Sequence, residues 1–299
     1  MIDFFDLADH SNKSQVFYTK GTTDWQIWQK PNMCKMVMIL CMGGGAGGGL
    51  GQQAAPGNTR RGGGGGGSAG YVFGLFSANQ LPDILYLQPG PGGLPGTSGT
   101  GGVGSLSYVS IQANTTPINI LLQSGNAAAT AGVLGSSGGT AGSAGTAWSG
   151  GVLSDLGIVT AYTGQPGGTG QTNATPPAIT PSRLTSGAPG GGGVNLSVTF
   201  NGGAIQGSGF LPSIPGGLAA GGVHGSGGYN PLNSNLNGMQ RSPLIFTGGS
   251  GGASSNSGTG GDGGDGAYGS GGGGGGAGTS FASGAGGAGG DGLIIITSY

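Results

Sequence analysis

Residues 34–51 read CKMVMILCMGGGAGGGLG. Seven strand-forming residues, Met36–Met42, run straight into seven glycines within the nine positions 43–51. The first half is a β-strand apolar on both faces, which places it centrally in a covered sheet. The second half has no side chains to pack, so it is either flexible filler or backbone packed directly on backbone. The fold depends on which.

The alternation recurs along the whole chain. Short apolar runs at 71–76, 83–87, 106–111, 118–122, 156–162, 194–200, 243–246 and 293–297 are separated by glycine-rich stretches. In 194–200, Val194, Leu196, Val198 and Phe200 alternate with Asn195, Ser197 and Thr199, the pattern of a half-buried antiparallel strand. Residues 293–296 are apolar on both faces like 36–42, so the last strand is expected beside Met36–Met42 in the interior. No segment has a capped 3.6-residue period, and glycine costs about 1 kcal/mol per residue in a helix. Helix content is expected to be close to zero.

Glycine accounts for 80 of the 299 residues and proline for 16, a level that ordinarily marks disorder. The charge pattern argues otherwise. Only 17 residues are charged, the net charge is −1, and hydrophobic residues reach 34%, whereas disordered chains combine high charge with low hydrophobicity. Four lysines and four aspartates fall in the first 35 residues, against four arginines and five aspartates in all the rest. That shift marks a boundary near residue 30. The absence of a basic run disfavours nucleic acid as a partner, and no run approaches the length of a membrane span. The opening MIDFFDLADHSNK lacks the features of a secretory signal. Cys34 and Cys41, seven apart on one strand, point to opposite faces and are expected to be free thiols.

Within the glycine stretches a period of three recurs, at Gly93, Gly96, Gly99 and Gly102; Gly139, Gly142 and Gly145; Gly222, Gly225 and Gly228; and Gly284, Gly287 and Gly290. Three is the period of a left-handed extended helix of the polyproline II kind, which has no internal hydrogen bonds. Glycine keeps its N–H, so such segments can bond sideways to one another and satisfy their buried backbone groups. Collagen itself is excluded because no Gly-X-Y repeat persists. The glycines after Met42 thus read as close-packed extended backbone continuing from the strand.

Three passages carry a resemblance: WQIWQKPNMCKMVMILCMGGGAGGG (25–49), LPDILYLQPGPGG (81–93) and GGAGGDGLIIITSY (286–299). In that order they resemble a glycine-rich domain of bacteriophage tail-fibre and other virion proteins. The resemblance spans roughly 25–299, with the section 125–190 as a departure. It implies a rigid display scaffold with variable loops, folded in the host cytoplasm and released by lysis. The expected fold is all-β: an antiparallel sandwich-like core of short strands combined with packed polyglycine II-type segments and long glycine-rich loops. Residues 1–30 read as an N-terminal attachment segment. Residues 31–299 read as the glycine-rich domain, with loop insertions around 125–190 and 205–243.

The chemical motifs are weak. At this glycine fraction G-x-G-x-x-G arises about six times by chance, and no lysine follows a glycine, which removes the P-loop. GGSGG (248–252) fits the nucleophile elbow formally, but GGASSNSGTGG cannot supply the helix that must follow. His10 and His224, the only histidines, and the two cysteines have no metal-site spacing. GGDGGDGAY (260–268) fits a calcium nonapeptide, with Asp262 and Asp265 as ligands, but it has Ala267 where a large apolar residue belongs and no second copy. No cofactor, no metal and no enzymatic activity are expected.

A scaffold this poor in side chains concentrates recognition in the large residues that interrupt it. Tyr162, Arg183, Phe210, His224, Tyr229 and Arg241 are therefore the candidate contacts for a receptor or partner, most of them expected together at one end of the body. Trp25 and Trp28 anchor the attachment segment. The expected partners are other virion proteins, bound through the N-terminal segment, and a host cell-surface receptor, with many copies in one assembly. Alternatives are a capsid or tail decoration protein, an ice-binding protein using the Ala/Thr row GTAGSAGTA (139–147), and a glycine-rich matrix protein.

Overall fold

A computed structural model describes residues 13–20, 24–125, 129–207, 211–219, 222–228, 245–279 and 282–299. Its strands are β1 (Lys13–Tyr18), β2 (Gln26–Gln29), β3 (Met36–Met42), β4 (Tyr71–Ser77), β5 (Ile84–Gln88), β6 (Tyr108–Ser110), β7 (Ile120–Gln123), β8 (Gly157–Tyr162), β9 (Val194–Asn195), β10 (Val198–Thr199) and β11 (Leu293–Ser298). The described helices are single 3₁₀ turns of three to five residues. None is long and apolar enough to cross a membrane.

Two antiparallel sheets form a sandwich. One has the order β1-β11-β3-β4-β8 and the other β2-β5-β6-β7. The alternate residues Val37, Ile39 and Cys41 of β3, Val72 and Phe76 of β4, and Ile294 and Ile296 of β11 face Trp28, Leu85, Leu87, Val109 and Leu122 of the second sheet in one buried cluster. The last strand does lie beside Met36–Met42, with Leu293 opposite Met42 and Ser298 opposite Val37. Cys41 is buried in the cluster, which pushes its thiol pKa well up, and both cysteines are free.

Strands β3, β5 and β8 run on into glycine-containing segments and β4, β6 and β11 receive them, and together these segments form a bundle. The segment 62–70 lies at its centre. Gly62, Gly65 and Ser68 donate to the carbonyls of Gln171, Gly168 and Gln165; Gly63, Gly66 and Ala69 donate to those of Gly275, Gly272 and Gly269; Gly64 and Gly67 donate to those of Val133 and Thr130. Its own carbonyls accept from three further segments: from Ala46 and Gly49, from Gly142 and Gly145, and from Ala188 and Gly191. Successive residues thus address different neighbours and the partner repeats every third residue, as a threefold extended helix requires. The run Gly62–Gly67 is packed backbone bonded on every side, and the same holds for the glycines after Met42. Segments 43–52 and 269–278 are surrounded in the same way.

The glycines are required chiefly by spacing. Among those described, only Gly57, Gly138, Gly139, Gly150, Gly222 and Gly269 have positive φ. A Cβ on Gly64 would stand 1.9 Å from the Thr140 carbonyl oxygen, and one on Gly271 would stand 2.0 Å from that of Gly66. Neither gap leaves room for a methyl group.

Several elements differ from the sequence expectation. Residues 194–200 are not one strand but the short hairpin β9–β10, with Leu196 in the left-handed region at φ 56° and 60% exposed. The stretch lies at the bundle end remote from the sandwich, where its two ends enter the lattice, Val194 by pairing with Arg60 and Phe200 by bonding to Ser254. Within 243–246 only Ile245 and Phe246 are described, and Phe246 makes a single bridge to Thr185. The section 125–190 contributes bundle segments at 129–145, 164–171 and 186–190 in place of loops, because its period-three glycines pack like the others. In 205–243, residues 222–228 are likewise a bundle segment. The described part of 1–30 supplies β1 and β2, edge strands of the two sheets, so no structural break occurs at residue 30. Lastly, β3 is covered on both faces only in its second half: Met36 and Met38 remain half-exposed.

Two stability measurements test this architecture. In denaturant unfolding Gly65→Ala, whose Cβ would meet the Ala188 carbonyl oxygen at 1.9 Å, should lose about 3 kcal/mol or fail to fold. Gly99→Ala, with open space at its Cβ, should stay within about 1 kcal/mol of the parent. Ending the chain at Gly292 removes β11 from between β1 and β3 and should abolish soluble folding; a truncated chain with the parent's melting curve would contradict the topology.

Candidate functional site

The candidate contact residues fall in different places. Tyr162 ends the edge strand β8, opposite Tyr71 in register. Its ring stacks on Tyr71 at 5.0 Å and meets Phe73 edge-on at 6.5 Å, leaving it 40% exposed. Arg183 is exposed next to it: one guanidinium nitrogen donates to the Thr163 carbonyl at 2.7 Å and to the Thr163 hydroxyl at 2.6 Å. Burial raises the Tyr71 pKa, partly offset by a backbone hydrogen bond at Leu184 and by the Arg183 charge. An exposed tyrosine and a restrained arginine at the junction of sheet and bundle are side chains of the kind that dominate protein interfaces.

His224 does not join them. It lies on the flank of the bundle, in the segment 222–228, which donates from Gly225 and Gly228 to the Asp262 and Asp265 carbonyls. Its Nδ1 is 3.0 Å from the Asp262 amide nitrogen and 3.2 Å from Asp262 Oδ2. Neutral, Nδ1 accepts from the amide; protonated, it donates to the carboxylate instead. With side chains 69% and 49% exposed, the pair is a surface contact. Phe210, Tyr229 and Arg241 lie outside the described residues. Of the three candidate residues described, His224 thus stands apart from Tyr162 and Arg183, because the period-three glycines of 222–228 draw it into the lattice. Trp28 is a core residue of the second sheet, 2% exposed, and Trp25 is half-buried.

Two sets of residues with defined roles were not anticipated. Asp262 and Asp265 occur three apart, and their Oδ1 atoms accept the backbone N–H groups of Ala285 and Ala288, each at 2.7 Å. Asp291 does the same for Gly92 at 2.8 Å. In the segment 284–292, Gly284, Gly287 and Gly290 donate to one neighbour and Gly286, Gly289 and Gly292 to another. The Ala285 and Ala288 carbonyls accept from Gly263 and Gly266, but among the described residues no backbone carbonyl meets their N–H groups, so the carboxylates take that place. The three-residue spacing shared by Asp262/Asp265 and Ala285/Ala288 was the available signal. Among the described residues, no three His, Cys or Asp side chains are grouped to hold a metal ion.

The second set is Arg60–Arg61, the one adjacent pair of like charges in the chain. It opens the central segment at the bundle's remote end. Fully buried Arg60 donates to the carbonyls of Ala54 and Gly278 and to Asn256 Oδ1, while burial lowers its pKa. Arg61 donates to Thr172 Oγ1 at 3.0 Å and to the Gly138 carbonyl at 2.7 Å. The pair ties five neighbouring segment ends to the central one. Around them, 55–59, 173–175 and 195–198 form exposed turns. Ser250 of the elbow-like GGSGG is buried in the lattice, its hydroxyl oxygen accepting from the Ser226 amide at 2.7 Å.

A family model described as a glycine-rich domain matches residues 19–299. A comparison with curated proteins found no match.

The aspartate contacts predict a graded response to substitution. Asp262→Ala/Asp265→Ala exposes two unpaired N–H groups at the rim and should cost about 1–3 kcal/mol in thermal or denaturant unfolding. The double Asn variant keeps acceptor oxygens and should lose less than half as much, with chelator making no difference in either background. Equal losses for Ala and Asn would show that the side-chain oxygens do not cap the rim.

Proposed function

We propose, from the premise that the chain belongs to the glycine-rich domain family, that it is a non-enzymatic structural protein of a bacteriophage virion: a rigid body that displays contact surfaces as a tail-fibre or tail-tip adhesin. The observation that supports this most is the enclosed segment 62–70, bonded on all sides to six others, in 62–67 through backbone hydrogen bonds. Such a body leaves few side chains free for chemistry and holds its loops in fixed relative positions. A displayed contact surface needs that rigidity. The exposed turns around Arg60–Arg61 and the Tyr162–Arg183 corner are the surfaces for a host receptor. The segment 1–30 and the sheets it joins serve attachment to other virion proteins, in many copies.

A second reading draws on one observation. In 139–147 the glycines are buried while Thr140, Ser143 and Thr146 are exposed in a row, flanked by half-buried Ala141, Ala144 and Ala147. A regular hydroxyl row of this kind is what an ice-binding face would use, and measurable thermal hysteresis would favour that role.

Negative-stain images of phage particles labelled with antibody to this chain test the first reading. Label at fibre or tail tips is the expected result. Label spread over the capsid would assign a decoration role, and absence from particles would overturn the virion reading. On purified protein, Arg183→Ala should weaken adsorption to host cells while leaving the melting temperature unchanged.

A further inference from the structure

A threefold extended segment sends its N–H and C=O groups out in six directions, and the segment 284–292 has five of them filled. Gly284, Gly287 and Gly290 donate to 270–276, while Gly286, Gly289 and Gly292 donate to 90–96. The carbonyls of Gly284, Gly287 and Gly290 accept from 45–51, and those of Ala285 and Ala288 from Gly263 and Gly266. The N–H groups of Ala285 and Ala288 end on the Asp262 and Asp265 carboxylates. The sixth direction belongs to the Gly286 and Gly289 carbonyls, which accept from no backbone N–H among the described residues. A groove of about 350 Å³ opens on this flank, lined by 288–291 and walled by 92–94 and 266–268. Leu94, 76% exposed, stands on one wall and the half-buried Tyr268 on the other. Asp291, holding the Gly92 N–H, stands at the end next to β11.

We propose that this groove binds a proline-rich segment of a partner protein in the polyproline II conformation. Spacing selects that conformation. Carbonyls three residues apart on a threefold extended helix lie about 9 Å apart. A polyproline II ligand brings N–H groups to one side at the same interval, whereas a β-strand does so every second residue, at about 7 Å. Composition follows from the same spacing. Only one ligand residue in three has to carry an N–H, so the two between are free to be proline, which lacks the donor and is already held near the required φ. A glycine segment would meet the same acceptors but lose far more conformational freedom on docking. Leu94 and Tyr268 give proline rings apolar walls, the kind of surface on which proline-rich segments are recognised. The proposal needs only this flank of the bundle and is independent of the virion reading, which concerns other surfaces.

Fluorescence anisotropy of a labelled Ala-Pro-Pro repeat peptide, titrated with the full chain to about 1 mM, tests it beside an Ala-Ser-Ser repeat of equal length. The expected result is saturable binding of the proline peptide, at least about tenfold tighter than that of the proline-free one. Leu94→Glu, at a position too exposed to matter for folding, should weaken binding at least about fivefold. Val152→Glu, as exposed as Leu94 but in a 3₁₀ turn of the sandwich, should leave it unchanged. In amide NMR spectra of the full chain the proline peptide should shift resonances at 92–94, 266–268 and 286–291. No saturation by about 1 mM overturns the proposal, as does equal binding of the two peptides. So does a Leu94→Glu chain that binds like the parent, a Val152→Glu chain that loses binding, or a set of shifted amides outside the groove.

Discussion

Everything in this structure depends on how near one backbone can come to another. An N–H to C=O bond between parallel-lying extended segments brings their axes close enough that any side chain on the inner side would overlap a carbonyl oxygen, as the 1.9–2.0 Å distances at Gly64 and Gly271 show. The contact therefore selects glycine by exclusion, position after position. The same bonds set a limit on what they can contribute. Each is worth roughly 1 kcal/mol net, about what it costs to fix one residue's backbone, and glycine has more freedom to lose than any other residue. The lattice is close to neutral in free energy, and the net stability comes from the apolar sandwich. The sheets hold the molecule folded, and the bundle gives it shape and stiffness.

Such a lattice has edges, as a β-sheet does, and it manages them with different side chains. Sheets commonly use lysine, proline or bulges to keep neighbours off. Here carboxylates at Asp262, Asp265 and Asp291 occupy N–H groups at the rim, and guanidinium groups at Arg60 and Arg61 occupy carbonyls at the remote end. Five of the chain's 17 charged residues thus terminate backbone hydrogen bonding, and the low charge of the chain reflects how few such sites there are.

How much of this was legible in the sequence depended on whether the signal was local. The strands at 36–42, 71–77 and 293–298 could be read because their apolar runs are bounded by glycine, and the period of three indicated lateral packing. β1 and β2 were missed because KSQVFY and QIWQ are short, polar and shaped by their partners β11 and β5. In 194–200 the alternation was real but no second strand ran alongside it, so the segment turned back on itself. The six contact residues were chosen for being large and flanked by loop-like sequence. That criterion could not distinguish Tyr162, at a sheet edge, from His224, fixed in the lattice. Which segment neighbours which is a property of three-dimensional packing, and no local pattern carries it.

The central position of residues 62–70 has a consequence for how the molecule is made. Of its six neighbours, one, at 43–52, has already emerged when this segment leaves the ribosome, while another, at 269–275, follows some two hundred residues later. A segment whose partners lie so far along the chain closes long loops before its bonds compensate, the topology associated with slow folding. Until residues 269–298 are synthesised, the amides of Gly63, Gly66 and Ala69 lack their acceptors and β3 lacks its neighbour β11. Assembly of the native state is thus a late, concerted event, and the nascent chain spends most of its synthesis with the middle of its lattice open.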